Sequence, residues 1–105
     1  MLTKKSAITL VKKFADEVRS SGVDLKKVIL FGSYAKNTRT EYSDIDVAMV
    51  SDEFIGFRFK DLDAFVKIKI KKEYVDIEPH TFSTSYFEKG DAFIDEIKNT
   101  GIVID

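Results

Sequence analysis

Apolar residues between positions 7 and 18 fall at Ala7, Ile8, Leu10, Val11, Phe14, Ala15 and Val18, in steps of three and four that put them on one face of a helix. Gly22 follows as a stop signal. The run KKVILF, residues 26–31, is short, apolar and β-branched; it predicts a buried strand closed by Gly32. SYAKNTRTEYS, residues 33–43, is polar and turn-prone and predicts a loop with one helical turn near Ser33 to Lys36. DIDVAMV, residues 44–50, predicts a second strand. Over residues 54–74 the periods mix. Leu62, Phe65 and Val66 suit a helix face, whereas Phe65, Ile68 and Ile70 drift into alternation; the reading is a helix from about Lys60 to Ile70. EYVDIEP, residues 73–79, alternates and predicts a third strand closed by Pro79. STSYFEKGDAFIDEIKNTG, residues 83–101, predicts a last helix with Phe93, Ile94 and Ile97 on one face, and IVI after it an edge strand.

Short strands between helices predict an α+β (mixed α/β) fold, a small mixed sheet with helices packed mainly on one face. At 105 residues, 44% hydrophobic and with nine Phe, the chain supports one core, and residues 1–105 are expected to form a single domain. Basic and acidic side chains number 17 and 18, so no global field draws the chain to nucleic acid or to a membrane surface. With no cysteine, disulfides, thiolate catalysis and zinc-thiolate sites are excluded, which fits a reducing compartment and makes the cytoplasm the expected location. Lys12 and Lys13 interrupt what would be the apolar part of a leader, and no apolar run approaches the roughly 20 residues of a bilayer span.

The chemistry concentrates in FGSYAKNTRTEYSDIDVAMV, residues 31–50. On a strand, Asp44 and Asp46 share a face, with Ile45 and Val47 turned into the core. Two carboxylates held together repel unless a cation lies between them, and Mg²⁺, a hard ion bound through one or two carboxylates plus substrate phosphates, suits that place. Asp76, in the third alternating stretch, adds another carboxylate. Three carboxylates can hold two metal ions and support an in-line phosphoryl or nucleotidyl displacement. Gly32 permits close backbone approach to a phosphate, and Ser33 offers an amide and a hydroxyl to phosphate oxygens.

Gly32-Ser33, ten residues, then Asp44-Ile45-Asp46 resembles the signature of the minimal nucleotidyltransferases in the DNA polymerase β superfamily. The similarity extends to VILFGSYA, to Ser43 before the first Asp, to YVDIEP and to the closing IKNTGIVID, nearly the whole chain. The resemblance implies the small nucleotidyltransferase fold and the transfer of a nucleoside monophosphate from a nucleoside triphosphate to a hydroxyl, releasing pyrophosphate. It implies that Asp44 and Asp46 bind two Mg²⁺ ions, that Asp76 completes one metal site and helps deprotonate the acceptor, and that Gly32 and Ser33 bind the β- and γ-phosphates. Family members often carry glycine where this chain has Asn37, a residue that tolerates a left-handed backbone. Stand-alone members are commonly paired with a small helical HEPN-domain protein, so the resemblance also implies an antitoxin that attaches AMP from ATP to a tyrosine of a HEPN toxin. A non-catalytic antitoxin or adaptor, and the catalytic half of a two-chain small-molecule nucleotidyltransferase, are the alternatives.

Other residues carry weaker readings. Glu78 shares a strand face with Asp76 and could replace it as third ligand. His80, after Pro79, is read as an ordinary surface residue in a turn, and Lys67, Lys69, Lys71 and Lys72 as the solvated side of an amphipathic segment. Lys36 and Arg39 are better placed to meet triphosphate charge. Phe54, Phe57 and Phe59 are read as core or helix-packing material, with a docking surface as the other option.

Overall fold

The computed structural model describes residues 2–105. Helix α1, Lys4–Ser20, is capped by Thr3, whose hydroxyl accepts from the Ser6 amide, and buries Ala7, Val11, Phe14, Ala15 and Val18. Strand β1, Lys27–Phe31, leads through Gly32 into the one-turn helix α2, Ser33–Lys36. Strand β2, Ile45–Ser51, runs back antiparallel to β1, with Phe31 opposite Asp46. Helices α3, Arg58–Asp61, and α4, Val66–Lys69, then lead to β3, Ile77–Ser83, which pairs parallel to β2 with Asp46 opposite Glu78 and Ala48 opposite His80. Helices α5, Thr84–Lys89, and α6, Ala92–Thr100, precede β4, Ile102–Val103, which pairs with β1. The sheet order is β3-β2-β1-β4, with β4 an edge strand as its position in the sequence suggested.

Strand alternation sorts the sheet into two faces. Val28, Leu30, Ile45, Val47, Met49 and Ile77 pack with α1 and with Phe54, Phe65 and Tyr74. Ile29, Phe31, Ala48, Val50 and Phe82 pack on the other face with Phe87, Ile94 and Ile97 of α5 and α6. The longest helix and the 58–74 segment thus cover one face, and a smaller helical layer closes the other. Asp46, Glu78 and His80 have the parity of the α5/α6 face, at the end of the sheet that the β1–α2 turn occupies.

Three element boundaries differ from the pattern reading. The helix expected from Lys60 to Ile70 is broken: α3 gives way to a 3-10 turn, Leu62–Ala64, and Phe65 leaves helical geometry at φ −139° before α4 begins. Phe65 breaks ranks to reach the core, where it meets Phe14 and Phe54 edge-on or tilted. The strand expected from Glu73 to Pro79 starts only at Ile77 and continues past Pro79 to Ser83. Lys72–Tyr74 is a 3-10 turn that drives Tyr74 fully into the core against Phe14, and Pro79 is tolerated inside β3 because the strand lies at the sheet edge. The last helix is two helices, divided at Gly90, whose φ of 81° ends α5, and at Asp91, whose carboxylate caps α6 by accepting from the Ile94 amide at 2.8 Å.

Candidate functional site

The β1–α2 turn is built around a glycine that any side chain would strain. Gly32 has φ 75° and ψ −151°, outside the range of L side chains, and a β-carbon there would collide with the Asp46 carboxylate. The backbone of the turn and the first acid of β2 therefore lie against each other. Ser33, itself half-buried, opens α2, and Asn37 closes the turn in the left-handed region at φ 62°, the conformation its side chain tolerates. Arg39 folds back, donating to the Leu2 carbonyl at 3.1 Å and lying over the Tyr34 ring, while Lys36 pairs with Glu96 at 2.8 Å.

Asp44 stands just before β2 and Asp46 inside it. The carboxyls of Asp44 and Glu78 line the same cleft and interact. Desolvation first, then the neighbouring Glu78 carboxyl and the charges of Asp46 and Asp76, push Asp44 up from its ordinary value. Glu78 is held low, chiefly by Arg58, whose Nη1 donates to Glu78 Oε1 at 2.9 Å, and further by His80 and Asp44. Asp46, Glu78 and His80 each present a ligand atom within 4.8 Å of the others, and His80 Nε2 lies 3.2 Å from Asp46 Oδ1. Asp76 is exposed in the turn before β3, where its carbonyl accepts from the Ile45 amide at 2.8 Å. Its side chain lines a cleft of about 410 Å³ together with Asp44, Glu78, Arg58 and Phe59.

The expected residues thus gather at one end of the sheet: Gly32 against Asp46, and Asp44 beside Glu78 with Asp76 on the same cleft. Glu78, rather than Asp76, stands directly across from Asp46. His80 is not in a turn. It lies on β3, half-buried, its ring edge-on to Phe31 at 5.0 Å and to Phe93 at 6.1 Å between centroids. The only sequence signal for it was that Asp76, Glu78 and His80 fall at alternate positions. Nothing in the sequence marked Arg58, which reaches Glu78 from 20 residues away. Lys71 pairs with Glu17, and Lys69 donates to the Tyr74 carbonyl, so these two lysines serve the fold. Phe54 is core, whereas Phe57 and Phe59 are exposed and touch each other edge-on.

Chemically, a tight turn beside several carboxylates and an imidazole is a place where cations and a polyphosphate can meet. Residues 11–104 match the family model described as a nucleotidyltransferase domain. A protein of Methanocaldococcus jannaschii, provisionally named a protein adenylyltransferase, is 29% identical over 92% of this chain and 97% of its own. A second protein of that organism with the same provisional name is 46% identical over 40% of this chain and 43% of its own. The crystal structure of a provisionally named nucleotidyltransferase from Sulfolobus solfataricus shares the fold at a TM-score of 0.68, with 23% identity, covering 95% of this chain and 80% of that one.

Proposed function

Since the chain belongs to the nucleotidyltransferase-domain family and is an enzyme of that kind, we propose that it transfers AMP from ATP to a hydroxyl group on a protein, and that the acceptor is a tyrosine of a HEPN-domain toxin for which it serves as antitoxin. The observation that supports nucleotidyl transfer at this site is the close approach of Gly32 to Asp46, which sets the turn we read as binding phosphate against a group of carboxylates. The protein acceptor is supported by the names of the two relatives, and the tyrosine and the HEPN partner by the resemblance of the motifs.

In this reaction the acceptor oxygen forms a bond to the α-phosphorus, the bridging bond to the β-phosphate breaks, pyrophosphate leaves with that electron pair, and the acceptor proton passes to a carboxylate or to water. The donor set of carboxylates fits divalent cations. In our reading Asp44, Asp46 and a third carboxylate hold two, Mg²⁺ among them, and when bound they supply positive charge to the phosphates and to the acceptor oxygen. The Gly32 turn and the Ser33 hydroxyl bind and orient the β- and γ-phosphates. Glu78, facing Asp46 across the β2–β3 pair, is the third carboxylate of choice. Asp76 sits further out on the cleft, where it can take the acceptor proton.

The test is label transfer from ATP radiolabelled at the α-phosphate, against the γ-labelled nucleotide, with Mg²⁺ and a lysate of the source cells. A protein labelled from the α position by the wild type, and not by Asp46→Asn, is the expected result. Label appearing only in small molecules would sink the protein acceptor, and no transfer at all would sink catalysis at this site. Glu78→Gln should lose both Mg-ATP binding and transfer, whereas Asp76→Asn should keep binding and lose rate; the reverse pattern would exchange their roles.

A further inference from the structure

The donor set around Asp46 is not all oxygen. His80 brings a ring nitrogen to 3.2 Å from Asp46 Oδ1, and with Glu78 the three ligand atoms lie within 4.8 Å of one another, a spacing one cation can span. The imidazole is held there by construction. In the parallel register His80 stands opposite Ala48, the smallest side chain on that stretch of the β2 face, which leaves room for the ring beside Asp46. Phe31 and Phe93 meet the ring edge-on and hold it against the sheet. The side chains of His80 and Asp46 remain 24% and 26% exposed, so an ion can reach them from solvent.

Mg²⁺ favours oxygen ligands and near-octahedral geometry, whereas imidazole suits transition metals such as Fe²⁺, Ni²⁺ and Zn²⁺, and Mn²⁺, though at home with oxygen, accepts a nitrogen ligand more readily than Mg²⁺ does. We infer that Asp46, Glu78 and His80 form a mixed oxygen-nitrogen position selective for a transition-metal ion, Mn²⁺ or its neighbours, over Mg²⁺, beside an all-oxygen position that Asp44 and Asp46 share with the nucleotide phosphates. This rests on the reading of the carboxylates as cation ligands given above and adds a ligand and a metal preference to it. The two cations of the reaction are then unlike, and His80 fixes which metal takes the inner place.

The experiment is binding of Mn²⁺ to the full chain in the presence of saturating Mg²⁺, followed by loss of the free-ion EPR signal, with pulsed EPR reporting nitrogen coupled to the bound ion. In the wild type, nitrogen coupling is expected, and its frequencies should change when histidine is labelled with nitrogen-15; this readout needs no variant. His80→Gln should lose the coupling and bind Mn²⁺ more weakly by on the order of tenfold, at least what losing an outer partner of a ligand costs, with Mg²⁺ affinity unchanged. Bound Mn²⁺ without nitrogen coupling, or equal Mn²⁺ affinity in His80→Gln, would overturn the proposal and leave His80 as a hydrogen-bond partner of Asp46. If neither cation binds the wild type, or Asp46→Asn binds both as well as the wild type does, the carboxylate site itself fails, and this inference with it.

Discussion

Gly32 and Asp46 depend on each other at the level of single atoms, and the dependence gives opposite outcomes for two substitutions. Asp46→Asn removes one charge from a group that includes Asp44, Asp76 and Glu78 and leaves the carboxamide in the same space. The free protein should melt at an equal or higher temperature while Mg-ATP affinity, read by calorimetry, collapses. Gly32→Ala should lose both, because alanine is strained at φ 75° and its methyl meets the Asp46 carboxylate; a stability loss of about 1–3 kcal/mol in denaturant titration is expected. The residues with purely local signatures were the legible ones. Gly32, Ser33, Asp44 and Asp46 announce themselves by spacing within fifteen residues of chain, and Asn37 by its tolerance of the left-handed region. Glu78 and His80 join them only through the parallel pairing of β3 with β2, which no period in the sequence encodes, and Arg58 only through the path of the chain across the end of the sheet.

At the scale of elements, the regular pieces were legible and the joints were not. Helix α1 and strands β1 and β2 follow one period each, from a capping threonine or a turn to the next break. The 54–76 segment follows none, because it is held by polar anchors instead of by a repeating apolar face. Its main anchor is Asp61, a buried carboxylate whose oxygens accept from the Ile55 amide at 3.0 Å, the Gly56 amide at 2.9 Å and the Thr81 hydroxyl at 2.7 Å. That ties the loop to β3 and so sets the height of Arg58 over Glu78. Asp61→Ala leaves three donors unanswered and should cost about 2–3 kcal/mol in chemical denaturation. Through Arg58, it should also raise the KM for ATP in a transfer assay. Pro79 misled for a related reason: a proline marks the end of an interior strand, yet an edge strand accommodates one without stopping.

For the molecule as a whole, α1 is strapped to the turn before β3 by charge. Glu17 pairs with Lys71 at 2.8 Å and accepts from the hydroxyl of the buried Tyr74, and Lys13 pairs with Glu73 at 2.6 Å. The Lys71 and Tyr74 hydrogen bonds hold Glu17 below its ordinary value, and burial with the Glu17 contact pushes Tyr74 well above the usual phenol range. A carboxylate depressed in the folded state contributes stability that is present above its unfolded pKa and lost as the pH falls through its folded one. Thermal stability should therefore drop below about pH 4.5, and the acid limb should be shallower in Glu17→Gln. An unchanged limb in that variant would remove Glu17 from the acid response. Salt should weaken the same strap modestly, as expected for partly exposed pairs.

The two borders of the sheet also bear on how any protein acceptor can be met. One border, β4, is two residues long, and the other carries a proline in mid-strand. A neighbouring chain trying to extend the sheet by backbone pairing would find little ladder on the first side and a missing donor on the second. Self-association into fibrils through strand edges is disfavoured by the same construction. Recognition is therefore left to side chains around the strand ends, and under the proposed function a protein acceptor would meet Asp44 and Asp46 end-on, through a protruding side chain instead of an added strand.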